Sequence, residues 1–224
     1  MNPIRRSVLA AGTLAALGFR PAALAQDTPV AGRNYSVLNP ALPVEAPAGK
    51  IEVLEFFWYG CIHCYNFEPH VEKWLKTAPA DVAFRQVPAI FNDRWLHDAR
   101  IYYAFEAMGL TAKTHMPLFD AIHKSRLDTT KAEMLLPFLT RMGADVKKFE
   151  EALKSFGVQT KVKRAAQMTA AYHIDGTPSL AVHGAFTVSA DQGGTAGGMF
   201  AIADHLVGLV RKSGPAKPAG AARK

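Results

Sequence analysis

Residues 51–75, IEVLEFFWYGCIHCYNFEPHVEKWL, decide how this chain is read. Ile51, Val53, Leu54, Phe56, Phe57, Trp58 and Tyr59 make an apolar, aromatic and partly β-branched run. That composition suits a strand covered on both faces better than one wetted at alternate residues. Gly60 breaks the strand. From Cys64 onward the apolar positions Phe67, Val71, Trp74 and Leu75 recur at helical spacing, so Cys61 falls at or just before the first turn of a helix.

That position carries chemistry. A helix start offers unpaired backbone N–H groups and the positive end of the dipole, and both favour a thiolate over a thiol. Cys61 is therefore the expected attacking sulfur. Cys64, one turn later on the same side, lies at a separation compatible with a disulfide and is shielded by the strand and its own helix, so it is the expected resolving thiol. His63 sits between them, where an imidazolium would further stabilise the thiolate and make the pair more oxidising. The plain alternative is a solvent-exposed histidine without a role. A zinc site is the competing use of a C-x-x-C pair, but the chain has 2 cysteines in all. His63 and His70 would have to complete the ligand set, and His63 cannot easily turn inward with both sulfurs. No metal is expected.

The run LEFFWYGCIHCYNFEP resembles the DsbA-type thiol oxidases of the thioredoxin superfamily: the C-x-H-C, the aromatic strand before it and the Tyr-x-Phe-Glu after it all fit that pattern. Pro69 falls where the superfamily commonly kinks this helix, and Ile62 stands where the pattern usually has proline. The resemblance implies an α/β, thioredoxin-like fold with an inserted helical subdomain.

Read in order, Met1 to Ala25 has Arg5 and Arg6, an apolar run from Val8 to Phe19, an Ala23-Leu24-Ala25 cleavage signal and no acidic residue. This is the pattern of a secretory signal peptide, and the run is too short to span a membrane. The paired arginines leave the general and twin-arginine export routes both open. Export would carry the protein to an oxidising compartment, the periplasm, where a C-x-x-C can work as a disulfide carrier. The formal charge of +7 does not indicate nucleic-acid binding: between Gln26 and Val210 there are 18 basic and 19 acidic residues. The cluster Lys161, Lys163, Arg164 reads as a solvated helix face.

From Gln26 to Gly49 the chain is rich in proline and alanine, with an edge strand expected near Tyr35-Leu38. Val82 to Val87 reads as a second core strand parallel to the first. Residues 92–157 hold four stretches of helical periodicity, Arg94–Met108, Ala112–Lys124, Lys131–Met142 and Val146–Phe156, which make up the insertion. Met116-Pro117-Leu118-Phe119 resembles the corresponding DsbA helix, although simple core packing accounts for the aromatic and methionine positions here. A helix from Val158 to Tyr172 returns to a thioredoxin-like domain built from residues 26–91 and 158–212. Two strands turning at His183-Gly184 follow, then a closing helix from Met199 to Arg211. Residues 213–224 read as a disordered basic tail.

Gly176-Thr177-Pro178 before a strand resembles the superfamily's cis-proline loop. The resemblance implies that Pro178 packs beside the C-x-x-C and that Thr177 offers backbone groups to an extended substrate. Glu55 lies inside the apolar strand, where a carboxyl is costly unless protonated or paired. It is either an edge position open to water or, as the resemblance implies, a buried acid that relays protons to the cysteines. Glu68 is a weaker candidate nearby. The function expected is that of a periplasmic protein dithiol oxidase. It would be a monomer without bound cofactor, acting on unfolded secreted proteins with free thiols and reoxidised by a DsbB-like quinone-linked membrane protein. A reductase or isomerase of the same fold, and a noncatalytic binding or chaperone module, are the alternatives.

Overall fold

The structure is a computed structural model that describes residues 28–213. The expected signal peptide, residues 1–25, and the tail after residue 213 lie outside them. The elements in chain order are β1 (Ser36–Val37), β2 (Ile51–Phe57), α1 (Ile62–Leu75), β3 (Val82–Pro88), α2 (Asp93–Ala107), α3 (Thr111–Ser125), α4 (Ala132–Arg141), α5 (Val146–Lys154), α6 (Phe156–Ala171), β4 (Ser179–Val182), β5 (Phe186–Ser189), α7 (Ala190–Gly193) and α8 (Ala196–Ser213).

The five strands form one sheet in the order β1-β5-β4-β2-β3. β2 runs parallel to β3 and antiparallel to β4, which puts it inside the sheet, and every one of its residues is buried. Its side chains divide between two apolar layers, as alternation along a strand requires. Leu54 and Phe56 face a core shared with α2, α3, α4, α5 and α6. Ile51 and Val53 face a second core with Phe67, Val71 and Trp74 of α1 and with α8. Helices on both faces explain why this strand is a continuous apolar run. The Trp74 indole donates to Asp204 at 2.8 Å, which ties α1 to α8.

β1 is the expected edge strand, paired antiparallel with β5. The β4–β5 hairpin turns through His183, Gly184 and Ala185: His183 at φ 50 and Gly184 at φ 67 lie in the left-handed region, and the Ala185 N–H closes the turn on the Val182 carbonyl at 3.0 Å. Two places differ most from the sequence reading, and the short α7 was not read from the sequence. The break between α5 and α6 falls at Ser155, whose Oγ accepts from the Val158 N–H at 3.2 Å and starts α6 two residues early. The closing helix runs from Ala196 through Ser213, so Lys212 and the first residue of the expected tail are helical. The basic cluster on α6 is a charged surface as read: Lys161 pairs with Glu106 at 2.6 Å and Arg164 pairs with Glu45.

Candidate active site

Cys61 is the N-cap residue of α1, with extended backbone, and its Sγ accepts from the Cys64 N–H at 3.4 Å. The turn that delivers it is pinned from several sides. Gly60 is required because a Cβ there would fall inside the Trp58 indole. That indole donates to Asp98 at 2.8 Å and stacks on Trp95 with ring centroids 4.4 Å apart. His123 of α3 donates Nε2–H to the Tyr59 carbonyl at 2.8 Å. The sulfur therefore projects from a braced turn at the helix start.

Both cysteines are free thiols. Cys61 is half-buried and Cys64 is fully buried. The Cys61 thiol is pulled down to about 5, chiefly by a hydrogen bond from the Cys64 thiol. The Thr177 side chain and the backbone N–H groups of Cys64 and His63 help, while burial opposes the shift. When Cys61 is protonated, its S–H donates to the Thr177 carbonyl at 3.3 Å. Burial pushes the Cys64 thiol well above its ordinary value, and its bond to Cys61 and the charges of Cys61 and Glu55 add to the rise. One sulfur is prepared to be a thiolate and the other to remain a thiol.

Thr177, 116 positions after Cys61, brings its carbonyl to 3.3 Å from the Cys61 sulfur, and the Thr177–Pro178 bond is cis. A second cis bond, Asn39–Pro40, carries no signal that sequence reasoning used. His63 and His70 are both exposed on α1, and what His63 presents to the sulfur is its backbone N–H.

Glu55 is 0% exposed, which excludes the water-open edge position. It is hydrogen-bonded to Gln86 of β3, its register partner, at 2.9 Å. Burial first, then the neighbouring Glu68 charge, raises its carboxyl well above the usual range, and Cys61 contributes in the same direction. Glu68 is also buried and belongs to this cluster: it accepts from Gln86 at 2.8 Å and contacts His115 at 3.0 Å. Gln86, His115 and the Tyr59 hydroxyl were not singled out from the sequence. The signal available for Glu68 was its position four residues after Cys64, on the same helical face.

A parallel–antiparallel sheet clad by helices, with an activated cysteine at a helix start, a second buried cysteine one turn on and the Thr177 carbonyl beside the first sulfur, defines a thioredoxin-like thiol:disulfide oxidoreductase. The profile of the DSBA-like thioredoxin domain matches residues 86–196. The thiol:disulfide interchange protein DsbA of Burkholderia cepacia is 39% identical over 193 residues, covering 85% of this chain and 91% of that protein. Its counterpart in Bordetella parapertussis is 41% identical over 207 residues, covering 92% and 96%. The crystal structure of Pseudomonas aeruginosa DsbA superposes with a TM-score of 0.79 at 34% identity, covering 84% of this chain and 97% of that one. The chain belongs to the DsbA family of thiol:disulfide interchange proteins.

Proposed function

We propose that this protein is a periplasmic dithiol oxidase that donates the Cys61–Cys64 disulfide to folding secreted proteins. The observation that carries the reading is the opposite treatment of the two sulfurs, Cys61 drawn down to about 5 and Cys64 pushed up. Stabilising the Cys61 thiolate favours the reduced protein and makes the disulfide oxidising.

In the forward reaction a substrate thiolate attacks Cys61 Sγ and the Cys61–Cys64 bond breaks. Cys64 leaves and takes a proton from the acid form of Glu55. The second substrate thiolate then attacks the substrate sulfur of the mixed disulfide, and Cys61 leaves as the stabilised thiolate. The substrate is oxidised by two electrons and the enzyme reduced by two, with the substrate thiol protons released to solvent. Thr177 holds an extended substrate by its backbone beside Pro178. His63 acts through its backbone N–H, which supports the Cys61 thiolate.

On this reading residues 1–25 export the chain, and residues 92–157 are a helical insertion in a thioredoxin-like domain formed by 26–91 and 158–212. No bound cofactor or nucleic acid takes part, the protein acts as a monomer, and a DsbB-like quinone-linked membrane oxidase restores the disulfide. The test is stoichiometric reaction of the oxidised protein with a two-cysteine peptide at neutral pH in the presence of reduced glutathione. Near-complete peptide oxidation that is lost in Cys61→Ser supports the oxidase. Retention of most enzyme disulfide, with glutathione-driven insulin reduction instead, identifies a reductase or isomerase. Absence of any cysteine-dependent reaction identifies a binding module.

A further inference from the structure

Glu55 does not stand alone beneath the sulfurs. The Gln86 amide nitrogen directs its two hydrogens at two carboxyls, Glu55 Oε2 at 2.9 Å and Glu68 Oε1 at 2.8 Å. On the far side of Glu68, His115 Nε2 lies 3.0 Å from the same Oε1, and its Nδ1 lies 2.9 Å from the Tyr59 hydroxyl. The His115 ring is boxed by Phe57 and Phe119, each with ring centroids 5.2 Å away, and by Tyr59 at 5.3 Å and Tyr102 at 6.0 Å. Four separate elements and the turn after β2 thus contribute to one buried polar chain.

Hydrogen-bond accounting makes the chain asymmetric. Glu68 Oε1 accepts from two donors, whereas Glu55 accepts from Gln86 alone and its buried Oε1 has no partner. Two carboxyls this close do not both ionise readily, and the one with more donors keeps the charge. The Tyr59 contact is compatible with either form of His115. A neutral ring protonated on Nε2 accepts the Tyr59 O–H at Nδ1, and an imidazolium donates there. In both forms Nε2 presents a hydrogen to Glu68. The Tyr59 and Tyr102 hydroxyls are pushed upward, first by burial, and stay neutral. The groups left to exchange protons are Glu55 on β2, Glu68 on α1, His115 on α3 and the sulfurs of Cys61 and Cys64.

We propose that His115 is a positioning residue for disulfide exchange: by donating Nε2–H to Glu68 it keeps the charge of the carboxyl pair on Glu68 and leaves the pair's proton on Glu55, beside Cys64. The proposal rests on the reading of Glu55 as the proton holder. Without the His115 donor the proton is free to sit on Glu68, and Glu55 ionises at lower pH.

The step that reports this is the expulsion of glutathione from a Cys61–glutathione mixed disulfide, prepared with oxidised glutathione. Cys64 gives its proton to the Glu55 carboxylate and attacks Cys61 Sγ. The Cys61–glutathione bond breaks, the Cys61–Cys64 bond forms, and glutathione departs as thiolate. Its rate rises with pH as Glu55 ionises. In His115→Phe that rise is expected to move to lower pH by roughly one unit, the scale of coupling between interacting acids. Glu68→Gln should move it the same way, and His115→Phe added to Glu68→Gln should move it no further. His115→Gln, which still offers an N–H, should restore the wild-type profile, and His115→Leu replaces His115→Phe if the larger ring does not fold. A His115→Phe profile superimposed on wild type, while Glu55→Gln flattens the curve, overturns the assignment of His115 alone. So does a shift that persists undiminished in the Glu68→Gln background. An unchanged profile in Glu55→Gln removes Glu55 as proton holder and the proposal with it.

Discussion

Cys61 and Cys64 are the same residue type three positions apart, and surroundings alone separate them. Cys61 collects a thiol donor, the Thr177 side chain and two backbone N–H groups, while Cys64 is enclosed by apolar atoms and faces charges of its own sign. Alkylation of the reduced protein follows the thiolate fraction. Iodoacetamide is expected to label Cys61 with a rate that rises through pH about 5 and then levels, leaving Cys64 unlabelled until the chain is denatured. A midpoint in the ordinary thiol range would remove the stabilised thiolate. The part of this difference that was legible in the sequence is the local one, the helix start with its N–H groups and the second thiol one turn on, whereas the Thr177 contribution arrives from 116 positions away. The burial of Glu55 was half legible: a carboxyl within an apolar run announces either an edge or a cost. The chain from Gln86 to Tyr59 was not legible, because its members come from segments 18 to 56 positions apart and none has an unusual local pattern.

The elements themselves followed the sequence closely where hydrophobic period and capping agree. α3 and α4 continue through Pro117 and Pro137, although an interior proline costs about 3 kcal/mol through a lost hydrogen bond and a ring clash. Burial of Leu118 and Phe119 beside the first, and of Phe138 and Leu139 beside the second, offsets that cost, since each fully buried large side chain contributes about 1.5–3 kcal/mol. The missed boundary at Ser155 has a comparable local cause. Its Oγ donates to the Ala152 carbonyl at 2.8 Å and accepts from Val158 N–H at 3.2 Å, ending α5 and starting α6 with one hydroxyl. A serine beside Phe156, which is 88% exposed, looked like the tail of one helix because the apolar pattern there continues. Ser155→Ala is expected to lower stability by about 1 kcal/mol, the usual cost of a lost N-cap. The check is a urea midpoint that falls with unchanged m. An unchanged midpoint would show that the hydroxyl caps neither helix to any effect.

For the whole molecule, the Cys61 thiolate couples redox state to fold stability. The relevant comparison is between reduced and oxidised protein, because only the reduced form has a Cys61 proton to lose. In the folded reduced protein that proton leaves at about 5, against 9.0 for an ordinary cysteine. Between those values the unfolded chain binds a proton that the folded one does not, so stability of the reduced form rises with pH across the interval. The contribution is fully present above pH 9.0, fades as pH falls through about 5, and is absent from the disulfide form. Cys64 acts in the opposite sense and outside this window: its folded value is raised, so it weakens the reduced form only as pH climbs beyond the ordinary thiol range. Melting the two redox forms in parallel should therefore give a reduced-minus-oxidised difference in Tm that grows from pH 5 to pH 9 and is level below pH 5. The buried carboxyls are present in both redox forms, so most of their own pH dependence cancels in the difference. Cys61→Ser, measured against the reduced wild type, should lack the slope. If the slope survives that substitution, or if the difference narrows as pH rises through the interval, the oxidising character does not come from the Cys61 thiolate.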